Sequence, residues 1–100
     1  MVEFEIEWSY EAEIDLFEIM IFYFERNGNK IFSEKIYNKI NFGTEIISKH
    51  PQIGRKSKSD NTRKFIMGDF EINYEIIHNT ILISMIWDSA MNPENKRVGK

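Results

Sequence analysis

Residues 62–88 read TRKFIMGDFEINYEIIHNTILISMIWD, and this stretch decides the fold. It divides into three strands, Arg63–Met67, Phe70–Ile77 and Thr80–Trp87, joined by the turns Gly68–Asp69 and His78–Asn79. In the second strand Phe70, Ile72, Tyr74 and Ile76 alternate with Glu71, Asn73 and Glu75, the period-two pattern of a strand with one face on a core. In the third, Ile81, Ile83, Met85 and Trp87 alternate with Leu82, Ser84 and Ile86, so both faces are largely apolar and the strand belongs inside the sheet. Short links carrying Gly, Asp or Asn make these hairpins, and the three strands antiparallel.

Upstream, Val2–Trp8 also alternates, with Glu3, Glu5 and Glu7 on the outer face. Three carboxylates two residues apart on an exposed strand face protect an edge more often than they bind a metal, and no histidine lies nearby. Ser9 is placed to cap a helix whose first turn carries Glu11 and Glu13 and which stops at Asn27-Gly28-Asn29. This helix has two apolar stripes. One is Ala12, Leu16, Ile19 and Tyr23; the other is Tyr10, Ile14, Phe17, Ile21 and Phe24. Two stripes require two neighbours. The sheet is one, and the second helix is expected to cover the other; if it does not, Phe17, Ile21 and Phe24 become a docking face for a protein partner. The second helix, Lys30–Lys49, has the stripe Phe32, Ile36, Ile40, Gly43 and Ile47, with Gly43 suited to close approach toward the first helix. Pro51 ends it at His50. The order strand, helix, helix, strand, strand, strand defines an α+β domain, a helical hairpin packed on a small antiparallel sheet.

The chain of 100 residues is one domain, and with 42% hydrophobic and 14% aromatic residues it can build a single core. It has no cysteine, which excludes disulfides and thiolate metal sites. The start, MVEFEIEW, is acidic and alternating, unlike a signal sequence, and the longest apolar run, residues 19–24, is too short to span a bilayer. A cytoplasmic protein without membrane association is the expectation. The net charge of −3 argues against general nucleic-acid binding, but the charge is unevenly placed. Residues 1–27 hold eight acids and one base; residues 49–64 hold six bases (Lys49, Arg55, Lys56, Lys58, Arg63, Lys64) and one acid. A basic belt of this kind steers an acidic partner or is simply a solvated loop. His50 and His78 are too scattered for a metal site, and no phosphate loop or nucleophile triad is present. No cofactor or metal is called for.

The phrases WSYEAEIDLFEI, then Tyr23, KHPQIGRKS, RKFIMGDFEINYEI, ILISMIWD and Pro93 together resemble the RelE/ParE superfamily of type II toxins. The resemblance covers residues 2–93, leaving 94–100 as a flexible tail. It implies a toxin neutralised by a cognate antitoxin, as a homodimer or a heterotetramer with that antitoxin. ParE-like members poison DNA gyrase by binding it; RelE-like members cleave mRNA on the ribosome. RNA cleavage through the 2′-hydroxyl needs a base, an acid and cations around the phosphorus. For a ribonuclease the candidates are Lys56, Lys58, Arg63 and Lys64, with His50 or a lysine as base. Yet Ile66 stands where such enzymes often carry Arg, and the last strand is followed by Asp88-Ser89-Ala90-Met91 with no Tyr or His. The helix and link phrases are closer to the ParE-like pattern. The leading reading is therefore a gyrase-binding toxin that uses Arg55, Lys56, Lys58, Arg63, Lys64 and Trp87 against its target and Phe17, Ile21 and Phe24 against its antitoxin. A ribosome-dependent endoribonuclease, or a non-toxic member of the family, is the alternative.

Overall fold

The computed structural model of the chain describes residues 4–58 and 61–91. Val2 of the expected first strand, Pro93 and the tail 94–100 lie outside the described residues. The element order is β1 (Glu5–Trp8), α1 (Tyr10–Asn27), α2 (Ile31–Lys49), β2 (Arg55–Lys56), β3 (Thr62–Met67), β4 (Phe70–Ile77) and β5 (Thr80–Asp88). The five strands form one sheet in the order β1-β5-β4-β3-β2. This is the expected α+β arrangement with two additions. The sheet is mixed rather than wholly antiparallel, because β1 pairs in parallel with β5. The link between α2 and β3, which carries the basic belt and could have been a solvated loop, contributes the two-residue edge strand β2, paired with β3. Parallel pairing follows from the helical hairpin, which carries the chain from β1 across one face before the three-stranded meander begins.

Local chemistry sets the helix ends as the sequence indicates. Ser9 caps α1, its Oγ accepting from the Ala12 N–H at 3.0 Å. Gly28 closes the helix at φ 73°, a left-handed conformation suited to glycine, and its N–H donates to the Phe24 carbonyl. The His50 N–H donates to the Ile46 and Ile47 carbonyls at the end of α2. The core lies between the helices and one face of the sheet, and includes Ala12, Ile19, Ile36, Ile40, Ile47, Ile72, Tyr74, Ile81, Ile83 and Ile86. Gly43 serves a different contact from the one expected. A Cβ there would lie 2.8 Å from Met67 Cε and 2.9 Å from Ile72 Cδ1, so the glycine lets α2 approach the sheet rather than α1.

One irregularity redirects β5. Asn73 faces Met85 while Tyr74 faces Ile83, which leaves Ser84 as an extra residue, a β-bulge. Beyond it the alternation shifts by one. Ile86 and Asp88, opposite Ile72 and Phe70, join Ile81 and Ile83 on the helix side, whereas Met85 and Trp87 turn to the other face. Strict alternation had grouped Met85 and Trp87 with Ile81 and Ile83. Past Ile83, β1 has ended and α1 takes over the exposed flank of β5. The Ser9 N–H donates to the Ile83 carbonyl at 2.9 Å, and the Ile86 N–H donates to the Asp15 carboxylate at 3.0 Å. Further along, the Tyr23 hydroxyl donates to Asp88 Oδ2 at 2.7 Å. A buried strand edge thus finds its partners on a helix. No helix among the described residues is long and apolar enough to cross a membrane.

Candidate functional site

The basic belt lies at the β2–β3 edge, and the ladder divides it. Arg55 is opposite Lys64 and Lys56 is opposite Arg63. Residues opposite one another share a face, and neighbours along a strand point to opposite faces. Lys56 and Arg63 therefore belong to the face that carries Tyr74, and Arg55 and Lys64 to the face that carries Glu71 and Asn73. Arg55, Lys56 and Lys58 are exposed. Lys49, also exposed, ends α2 away from this edge, and the remaining two bases have local partners. Arg63 donates to the Gly54 carbonyl at 2.9 Å, and Lys64 lies 3.5 Å from the Glu71 carboxylate, which is buried.

Arg63 works with Tyr74 to hold the link. The fully buried Tyr74 hydroxyl donates to the Pro51 carbonyl at 2.7 Å and accepts from the Gly54 N–H at 2.9 Å. A Cβ on Gly54 would stand 2.8 Å from that hydroxyl and 2.9 Å from the Lys64 carbonyl, so only glycine fits between the link and the sheet. Burial raises the Tyr74 phenol above its ordinary pKa, keeping it a donor. The His-Pro-x-x-Gly-Arg phrase thus reads as a clamp that fixes where Arg55 and Lys56 emerge. The sequence showed Tyr74 only as part of an apolar stripe; a tyrosine among isoleucines was the available sign of a hydrogen-bonded role.

The remaining candidates lie apart from this edge. His50 is exposed and lines a cleft of about 740 Å³ with Phe4, Lys49, Pro51, Gln52, Ile53 and Ile76; none of the bases of β2 or β3 belongs to it. Trp87 is only 4% exposed, on the side away from the helices and opposite Glu71, and so offers a partner little surface. Asp88 is buried and holds the Tyr23 hydroxyl and the Ala90 N–H. Burial and the Asp88 hydrogen bond push the Tyr23 phenol well above its ordinary value. Of the residues considered for phosphodiester cleavage, Arg63 and Lys64 have partners within the fold, and His50 lines a cleft that none of the bases of β2 or β3 joins.

The second stripe of α1 is not covered by α2, contrary to expectation. Tyr10, Phe17 and Phe24 are 74%, 65% and 47% exposed, and Ile14 and Ile21 are 37% and 38% exposed. The helices cross so that Leu16, Phe17 and Met20 of α1 and Tyr37 and Asn41 of α2 only line a groove of about 340 Å³ between them. A contiguous exposed apolar ridge of this kind marks an interaction surface.

The site thus consists of a helical hairpin on a mixed sheet, with an apolar outer ridge on α1 and a basic edge divided between two faces. The chain belongs to the ParE toxin family of type II toxin–antitoxin systems, whose model (ParE toxin of type II toxin-antitoxin system, parDE) matches residues 6–93. No curated protein matches it in sequence. In structure it is similar to a chain of the chromosomal ParDE toxin–antitoxin system from P. aeruginosa, with a TM-score of 0.71 at 16% identity over 86% of this chain and 96% of that one. It is also similar to a chain of the RelBE2 toxin–antitoxin complex from Mycobacterium tuberculosis, with a TM-score of 0.64 at 16% identity over 87% and 99% of the two chains. A chain of the E. coli DinJ–YafQ complex matches with a TM-score of 0.53 at 10% identity, over 91% and 98%. At these identities the likeness establishes the fold.

Proposed function

We propose that the protein is a toxin that acts in the cytoplasm by binding and inhibiting DNA gyrase, and that a cognate antitoxin neutralises it. The observation that carries this reading is the division of the basic belt. Catalysis of phosphodiester cleavage needs several cations converging on one phosphate. Here Lys56 and Arg63 belong to one face of the sheet edge and Arg55 and Lys64 to the other. Arg63 is committed to the link and Lys64 lies against Glu71. A cationic edge of that form suits contact with an extended acidic surface, where charges need to be spread rather than focused. Arg55, Lys56 and Lys58, with Arg63 and Lys64 behind them, are the target-binding residues in this reading. Trp87, only 4% exposed, is set aside.

The exposed ridge on α1, with Phe17, Ile21 and Phe24, is the antitoxin-binding face. Capping it with a partner lowers the free energy of apolar surface otherwise left in water. The solved relatives of the same fold are toxin–antitoxin complexes, which supports a partner of that class.

The test is a supercoiling assay with purified protein and purified gyrase, scored for inhibition and for trapped cleaved DNA. Wild type inhibits in this reading, and Arg55→Ala/Lys56→Ala/Lys58→Ala weakens inhibition while leaving the fold intact, because all three side chains are exposed. Arg63 is left in place, since alanine there would free the link as well as remove a charge. Absence of inhibition at large excess of folded protein would sink the gyrase assignment and leave ribosome-dependent cleavage or a non-toxic member.

A further inference from the structure

The exposed ridge of α1 has a regularity that says what covers it. Tyr10, Ile14, Phe17, Ile21 and Phe24 are spaced by four, three, four and three residues. That is the spacing of a coiled-coil seam, with Ile14 and Ile21 at the a positions and Tyr10, Phe17 and Phe24 at the d positions. Over these residues the seam is roughly 21 Å long at 1.5 Å per residue, two heptads. The residue after each d position is an acid, Glu11, Glu18 and Glu25, and all three are exposed. These glutamates form a straight rail along one flank. The other flank, Glu13 and Met20, lines the groove against Tyr37 and Asn41 of α2. No lysine or arginine occurs between Tyr10 and Glu25. Arg26, the base nearest the rail in sequence, is stacked over the Phe22 ring at 5.2 Å.

We infer that this seam docks a single amphipathic helix of a partner protein whose flanking positions carry Lys or Arg facing Glu11, Glu18 and Glu25. The inference rests on the proposal that a partner neutralises the protein at this face, and specifies the chemistry of that partner. Flanking charges in a two-helix seam set partner choice, because opposite charges attract across it and like charges repel. The same rule disfavours a second copy of this chain. Antiparallel pairing of two α1 helices would set Glu18 against Glu18 and Glu11 against Glu25. Parallel pairing would set Glu13 against Glu18 twice. An acidic partner segment meets the same repulsion, whereas a basic helix gains three ion pairs as well as the seam.

The experiment uses the full chain and three synthetic helical peptides of about 21 residues, long enough to hold helical form against the seam. All three carry leucine at the seam positions; their flanking positions are Lys, Gln or Glu. Binding is read by fluorescence anisotropy at low and high salt. The Lys peptide should bind about tenfold tighter than the Gln peptide and the Glu peptide weaker still, the sum of three exposed ion pairs. The difference should collapse at high salt. Glu11→Lys/Glu18→Lys/Glu25→Lys, with circular dichroism confirming the fold, should reverse the order, and Phe17→Ser should weaken all three peptides. Equal binding of the three peptides, an order that the charge reversal leaves unchanged, or no binding of any peptide to folded protein would overturn the inference. So would self-association of the wild type in sedimentation equilibrium that Phe17→Ser abolishes. The gyrase assay separates the two proposals. Inhibition without charge-selective binding leaves the toxin reading standing, and selective binding without inhibition leaves the docking inference standing.

Discussion

The two stripes of α1 are about equally apolar and have opposite fates. Ala12 and Ile19 are buried against the sheet, with Leu16 and Tyr23 half-buried beside them. Tyr10, Phe17 and Phe24 stand in water. Hydropathy does not distinguish the two; the polar residues do. The inner stripe contains Asp15, whose carboxylate accepts from the Ile86 N–H, and Tyr23, whose hydroxyl donates to Asp88. These groups replace the strand that β5 lacks beyond Ile83, so the inner stripe can satisfy backbone as well as bury carbon. The outer stripe is flanked by the exposed carboxylates Glu11, Glu18 and Glu25, which make no hydrogen bond or ion pair among the described residues. A helix with two apolar faces turns the one that completes the sheet inward and leaves the other for a partner.

Substitutions at equivalent depth along the helix measure this difference. Ile19→Ala removes a buried side chain from the centre of the inner stripe and should cost about 2–5 kcal/mol, a large part of the stability of a domain this size. Urea unfolding followed by circular dichroism checks it; a cost under about 1 kcal/mol would mean that the inner stripe is no better packed than the outer. Asp15→Ala should cost less, about 1–3 kcal/mol, because the buried Ile86 N–H loses this acceptor. Asp15→Asn keeps an acceptor oxygen and should recover part of that loss.

The hydroxyl end of the inner stripe gives a pH test. Burial first, and then the hydrogen bond to Asp88, raise the Tyr23 pKa above the value of 10.0 expected of an unfolded tyrosine. Burial raises Tyr74 as well. Below pH 10 both states keep their protons and this contribution to stability is complete. As pH rises through 10 the unfolded chain releases protons that the folded chain retains, so stability falls. Thermal melts from neutral to strongly alkaline pH should show that decline. It should be shallower in Tyr23→Phe, with the remainder assigned to Tyr74. An unchanged slope in that variant would show that the Tyr23 hydroxyl titrates in the fold as it does in the unfolded chain.

Much of the fold was legible because it is written in short-range signals. The caps at Ser9 and Gly28, the two hairpin turns and the alternation of β4 depend only on neighbours in sequence, and each stands where the sequence indicates. What was illegible depends on contacts far apart in the chain. The bulge at Ser84 moves Met85 and Trp87 off the core face, and nothing within the sequence ILISMIWD announces an inserted residue. The Gly43 contact is with Met67 and Ile72, so its role is set by how α2 lies on the sheet. The basic belt was visible as composition, but its division between two faces appears only when β2 pairs with β3 in a definite register. The seven-residue spacing of Glu11, Glu18 and Glu25 was present in the sequence throughout. It gains meaning once α2 is seen to leave the adjacent ridge uncovered.

The smallest expected effect is the most informative about the outer stripe. Phe17→Ser replaces an aromatic ring that is 65% exposed, and so should change stability by no more than about 0.5 kcal/mol. Such a change in a buried aromatic would cost several-fold more. The two numbers, set against Ile19→Ala only two residues away, ask whether the faces of α1 are energetically independent. Near-zero cost at Phe17 together with lost peptide binding would mean that the ridge is carried for a partner and contributes nothing to the isolated fold. A cost approaching that of Ile19→Ala would mean instead that Phe17 packs into the groove beside Met20 and Tyr37 strongly enough to be core. The ridge would then be interrupted at its middle d position, and a helix could not seat along its length.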